Sequence, residues 1–121
     1  VSCVAGVYNI TCNQGATFHR TITWTDSARN PYDISNYTAR MQVRPNITSS
    51  TIVLELKTQN GTITLGNTTS TKGQINLLVS ANVTTNLVAG IYVYDLELVS
   101  NNGVVDRILE GNFKINAEVT R

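Results

Sequence analysis

The chain of 121 residues carries one histidine, two cysteines and eight carboxylates, and these bound the chemistry open to it. A hydrolytic nucleophile needs a base beside it. The sole candidate base of the imidazole type, His19, stands among Thr17, Thr21 and Thr23 on what reads as the outer face of a strand, where a solvated or interface role is the ordinary one. Asp95 and Glu97 share a strand face, and two acids facing one cleft are what glycoside hydrolysis needs. No apolar pocket accompanies them in the pattern, so they read as solvated, and Asp106 with Arg107 reads as paired surface charge. Cys3 and Cys12 fit no zinc spacing. They either bridge, which by loop-closure entropy would stabilise by about 2.5–3 kcal/mol, or remain two free thiols. Glycine-rich phosphate loops, metal clusters and cofactor motifs are missing from the sequence. The chain therefore reads as a non-enzyme with no catalytic, metal-binding or cofactor-binding residues and no cofactor.

Six tripeptides match the N-glycosylation acceptor pattern, at Asn9, Asn36, Asn46, Asn60, Asn67 and Asn82. With 14 Asn and 25 Ser or Thr in the chain, roughly three would arise by chance, and the motif has meaning only in a secretory pathway. They read as by-products of a polar face rich in Asn and Thr. Nine basic against eight acidic residues, with no basic run, exclude the electrostatic footprint of a nucleic-acid or anionic-membrane binder. No apolar stretch approaches a membrane span, and the sequence shows no signal peptide.

Seventeen Thr, 13 Val and 10 Ile make a third of the chain β-branched, which favours a pleated surface over a helix. Residues 16–25 alternate, with Phe18, Ile22 and Trp24 on one face and Arg20 lying along the core edge by its stem. Residues 26–33 are turn formers. Residues 37–44 alternate next, with Tyr37, Ala39, Met41 and Val43 inward. Ile52, Leu54 and Leu56 share a face, and Asn60-Gly61 predicts a tight hairpin into a return strand at 63–65. Ile75, Leu77 and Val79 face in. A short helical turn is expected near 80–88, capped by Ser80. Residues 90–99 form the strongest strand pattern, with Tyr92, Tyr94, Leu96 and Leu98 inward. Asn102-Gly103 turns the chain into a last strand, in which Gly111 is expected to mark a bulge and Phe113, Ile115 and Ala117 to face in.

Seven or eight such strands with frequent turn signals predict one all-β domain over residues 1–121, an antiparallel immunoglobulin-like β-sandwich with an amino-terminal arm at about 1–9. The Gly90-Ile91-Tyr92 spacing predicts a tyrosine corner, a ring at the start of the penultimate strand whose hydroxyl bonds back to upstream backbone. The expected structural core is Trp24, Tyr92, Phe18, Met41 and Phe113, with Trp24 and Tyr92 meeting inside it. The outer faces, made of Thr, Asn, Gln and Ser, are read as uncharged and as weakly protected against edge pairing.

The run Gln14-Gly-Ala-Thr-Phe18, the turn Asn30-Pro-Tyr-Asp33 and the strand Tyr37-Thr-Ala-Arg-Met-Gln-Val-Arg44 resemble a recurring domain of tailed-bacteriophage structural proteins. In the carboxyl half, Ala89-Gly-Ile-Tyr-Val-Tyr-Asp95 and Leu109-Glu-Gly-Asn-Phe113 agree with it. More loosely, the chain resembles the amino-terminal Ig-like domain of upper baseplate proteins. The resemblance covers about residues 8–121 and carries no catalytic residues. It implies a virion structural protein, assembled in the host cytoplasm, whose partners are other virion proteins and further copies of itself, not nucleic acid or membrane. A small tail-side adaptor at the baseplate or fibre is the preferred placement; a capsid decoration protein on the head's major capsid protein is the alternative. A secreted adhesion or carbohydrate-binding sandwich is the competing class, and would require an exposed aromatic platform.

Overall fold

A computed structural model of the chain describes residues 6–25, 28, 30–34, 36–66, 70 and 72–119. Nine strands are described: β1 (Gly6–Val7), β2 (Ile10–Asn13), β3 (Phe18–Thr23), β4 (Thr38–Arg44), β5 (Leu54–Lys57), β6 (Ile63–Leu65), β7 (Gln74–Val79), β8 (Gly90–Val99) and β9 (Val105–Asn116). One helical turn, α1 (Ala81–Thr84), stands between β7 and β8. The larger sheet runs β1-β9-β8-β4-β5, with β2 also on β9, and the smaller runs β3-β7-β6. Placing β4, β8 and β9 in one sheet and β3, β7 and β6 in the other gives the immunoglobulin-like sandwich, with β5 as the additional edge strand of the variable type.

Alternation places the core as the sequence implies. Ala39, Met41 and Val43 on β4, Ile75, Leu77 and Val79 on β7, and Tyr94, Leu96 and Leu98 on β8 are all buried between the sheets. Phe18 and Phe113 meet edge to face across the sandwich, with ring centroids 5.7 Å apart. Trp24 and Tyr92 depart from expectation. Both are half-buried against the core rather than in it, and they stand at opposite ends. Tyr92 pairs with Phe113, which packs on Phe18 at the start of β3, whereas Trp24 lies six residues farther along, about 20 Å at strand rise. The tyrosine corner itself forms, with the Tyr92 hydroxyl donating to the Val88 carbonyl at 2.7 Å. Because that bond is solvent-exposed, Tyr92→Phe should cost only about 0.5–1 kcal/mol in urea unfolding. A loss above 2 kcal/mol would mean that the corner is a core anchor.

Four local expectations are corrected. Asn60-Gly61 does not close a two-residue hairpin: residues 58–60 form a 3₁₀ turn ending on left-handed Gly61 (φ 80°), and β6 leaves the sheet of β5 to pair with β7. The extra residue of β9 is Ile108, where the pairing shifts from Leu96 with Leu109 to Glu97 with Arg107, and not Gly111. Ala117 lies past the end of β9 and is exposed. Ser80 makes no side-chain cap. The turn is instead anchored by Thr84, fully buried, whose hydroxyl donates to the Ala16 carbonyl at 2.8 Å. Thr84→Val should therefore cost about 1–3 kcal/mol by stranding a carbonyl, while Ser80→Ala should shift the denaturation midpoint hardly at all; equal effects would reverse the assignment.

Of the expected amino-terminal arm, the described part is tied down. β1 and β2 run parallel to β9 in one register, Gly6 opposite Leu109 and Ile10 opposite Phe113. Between them the chain dips inward: the Tyr8 carbonyl accepts a hydrogen bond from the Tyr94 hydroxyl, and Asn9 Oδ1 accepts the Asn112 N–H at 3.0 Å. Gly111 makes that possible, since a Cβ there would sit 2.6 Å from the Tyr8 carbonyl oxygen. Burial raises the Tyr94 hydroxyl's pKa well above its ordinary range, keeping it a donor. Of the candidate disulfide pair, Cys3 lies outside the described residues; Cys12 is a free thiol, 1% exposed, with its pKa raised by burial against a smaller lowering by Arg20.

Candidate interaction surfaces

Pairing of strands separates the two outer faces by charge. On the larger sheet, alternate positions of β4, β5, β8 and β9 present Arg40, Arg44, Lys57, Arg107 and Lys114 beside Glu55, Asp95, Glu97 and Glu110. These are five of the nine basic and four of the eight acidic residues. The smaller sheet presents His19, Thr21, Thr23, Thr64, Gln74, Asn76 and Leu78, with no Asp, Glu, Lys or Arg among them. The uncharged outer face read from the sequence thus belongs to one sheet only. Charge is absent there because each of its strands carries Thr, Asn or Gln at outward positions, and register brings those positions together.

The charged face is laced across its strands. Arg40 Nε lies 2.7 Å from Glu97 Oε1 on the next strand. Arg107 reaches Asp95 at 3.4 Å and Glu110 at 3.8 Å. Gln42 donates to Glu55 at 2.7 Å while accepting from Arg44 Nη2 at 2.7 Å, and Arg44 Nη1 donates to the Ser49 carbonyl. Asp95 and Glu97 are therefore not a free acid pair; each has its own arginine. A shallow open depression of about 420 Å³ lies on this face, lined by Gln42, Arg44, Ile47, Asp95, Arg107 and Asn112 among others. It offers donors and acceptors to a polar partner.

Two carboxylates on this face titrate in opposite directions. The Gln42 hydrogen bond, then Lys57, hold Glu55 below the usual glutamate range. Burial, then the neighbouring Glu97, push Asp95 up, against Arg107. Stability carried by ionised Glu55 is complete above its unfolded pKa and lost as pH falls through its lowered folded value; Asp95 does the reverse, gaining as it protonates. Carboxyl carbon NMR titration should place Glu55 below and Asp95 above the same residues in denatured chain. Both falling would mean that Arg107 outweighs burial at Asp95, and both rising that Gln42 and Lys57 do not hold Glu55.

His19 is exposed on β3, and its carbonyl accepts Arg20 Nη1 at 2.9 Å. Arg20 Nη2 reaches the Thr11 carbonyl, also at 2.9 Å, and the guanidinium lies 5.0 Å from the Phe18 ring centroid. It staples the edge of the smaller sheet to β2, a role its place on the apolar face only hinted at. A feature the sequence reading missed is an aromatic cluster at the far end of β3. Trp24 stacks on Tyr32 at 4.3 Å and meets Tyr37 edge-on at 6.3 Å. Tyr32 lies within the turn-rich segment after Trp24 and Tyr37 follows it, and a turn that returns beside its own strand is the signal that would have joined them.

Among the described residues no group of three or more His, Cys, Asp or Glu is disposed to hold a metal ion, and no helix is long and apolar enough to cross a membrane. No protein-family model and no curated protein matches the sequence. Solved structures with a similar arrangement include CopC from Methylosinus trichosporium OB3b, at 11% identity over 93% of this chain and 89% of that one, TM-score 0.44. Murine CRIg is another, at 7% identity over 91% of this chain and 92% of that one, TM-score 0.38.

Proposed function

We propose that the chain is a non-enzymatic structural protein of the tailed-bacteriophage virion, a small tail-side adaptor at the baseplate or fibre acting through protein–protein contacts. The observation that carries this reading is the Thr/Asn face of the smaller sheet, ending in the β3 edge, which pairs with no strand among the described residues. Solitary soluble domains usually guard such edges with lysine, proline or bulges and spread charge over both faces. A domain packed among neighbours needs neither device. Its other partners are then virion proteins that meet the charged face, where paired side chains can exchange ion pairs across an interface. The test is localisation of the chain in purified particles by antibody labelling and electron microscopy. Label at the tail tip or fibres supports the adaptor; label over the head transfers the chain to capsid decoration; unlabelled particles overturn both.

One observation favours a second reading, a carbohydrate-binding sandwich: the half-buried cluster of Trp24, Tyr32 and Tyr37 is the aromatic surface that such a module would use. Tyr32 already covers part of the Trp24 ring, which limits the free face. A reproducible glycan-array signal abolished by Tyr32→Ala would establish this reading, and a blank array would remove it.

A further inference from the structure

We propose that β3 pairs edge to edge with β3 of a second copy of the chain, antiparallel about a two-fold axis at Thr21, so that two three-stranded sheets join into one of six strands. The proposal rests on the reading of the chain as an assembly module for its setting only, since the pairing is a property of the isolated protein. The direction of the edge follows from register. Trp24 N–H donates to the Gly73 carbonyl at 2.8 Å, so Ile22, Arg20 and Phe18, in step with it, direct their backbone groups to β7. His19, Thr21 and Thr23 therefore direct theirs outward. Among the described residues, the His19 carbonyl alone of these groups is engaged, by Arg20 Nη1, and a carbonyl keeps a second lone pair.

Three outward residues evenly spaced about Thr21 are complementary to their own two-fold image. Thr21 then faces Thr21 of the second copy, and His19 faces Thr23, all as hydrogen-bonded pairs. Nothing charged opposes its like: Arg20, the strand's one cation, is turned to the Thr11 carbonyl and the Phe18 ring. Threonine opposite threonine is a favourable cross-strand pair, and the neutral outer face continues across the junction. The other edges fit a copy less well. β5 carries Glu55 and Lys57, β6 has three residues, and the β1 and β2 edge is broken at Tyr8 and Asn9. One strand pair buries less than the roughly 1,200 Å² of stable complexes, so the dimer is weak in solution and is reinforced where copies are held close together.

The test uses the full chain with Cys3→Ser, leaving the buried Cys12 as the only native thiol. Directly paired residues at this spacing have Cα atoms about 5.5 Å apart, within disulfide reach. Under mild oxidation of concentrated protein, Thr21→Cys should become a covalent dimer. His19→Cys and Thr23→Cys should each stay monomeric alone and cross-link when mixed. In sedimentation, the parent should show a concentration-dependent dimer that Thr21→Lys abolishes with an unchanged circular dichroism spectrum. A parent that stays monomeric at millimolar concentration, or Thr21→Cys cross-linking no better than its neighbours, overturns the pairing. Either result leaves the virion reading to particle localisation, which fails or succeeds separately.

Discussion

Phe113→Ala should lower the free energy of unfolding by about 3–5 kcal/mol, the usual cost of emptying a fully buried aromatic site. Phe113 has no exposed surface and meets Phe18 at 5.7 Å and Tyr94 at 6.3 Å. It sits on β9, paired with Tyr92 of β8 on one side and Ile10 of β2 on the other. The resulting cavity would open at the seam of both sheets and the amino-terminal strand together, leaving little room for collapse. Against a typical total of about 5–15 kcal/mol, that loss is a large share of the stability of a domain this size. Urea unfolding checks it. A loss below about 1.5 kcal/mol would mean that neighbouring rings refill the space.

Gly111→Ala should be nearly as damaging while adding a single methyl. The new Cβ would lie 2.6 Å from the Tyr8 carbonyl oxygen and 2.9 Å from Asn9 Oδ1, and the nearer is backbone that a rotamer change cannot move. The edge segment must lift away, and the buried Tyr94 hydroxyl loses its acceptor. Overpacking and a stranded hydroxyl each cost about 1–3 kcal/mol, so the sum is about 2–6 kcal/mol. Hydrogen exchange distinguishes this from general unfolding: the amides of Tyr8 and Asn112 should lose protection while those joining β3 and β7 keep theirs. Uniform loss of protection would contradict a local cause.

What was legible in the sequence was orientation. Strict alternation through Phe18 to Ile22, Ala39 to Val43, Ile75 to Val79 and Tyr94 to Leu98 tells which side chains turn inward, because the period of two is a local property of an extended chain. Partnership is not local. Asn60-Gly61 has hairpin chemistry, yet the strands on either side belong to different sheets. The same limit hid the separation of charge, since Arg40, Glu97 and Arg107 come to one face only through the pairing of β4, β8 and β9. Trp24 misled for a related reason. Alternation assigned it the correct side of β3 but not its distance from the end of the sandwich, where it packs on the margin of the core and under Tyr32 and Tyr37.

The shared register of β1 and β2 with β9 has a mechanical meaning. Partners 103 residues apart lie side by side and point the same way, tied by bonds such as Tyr8 N–H to the Glu110 carbonyl and Gln14 N–H to the Asn116 carbonyl. A tension drawing residue 6 away from residue 116 runs along both strands rather than across them. Those hydrogen bonds are then loaded together in shear, not opened one after another like a zipper, and the force is resisted before the hairpin of β8 and β9 feels it.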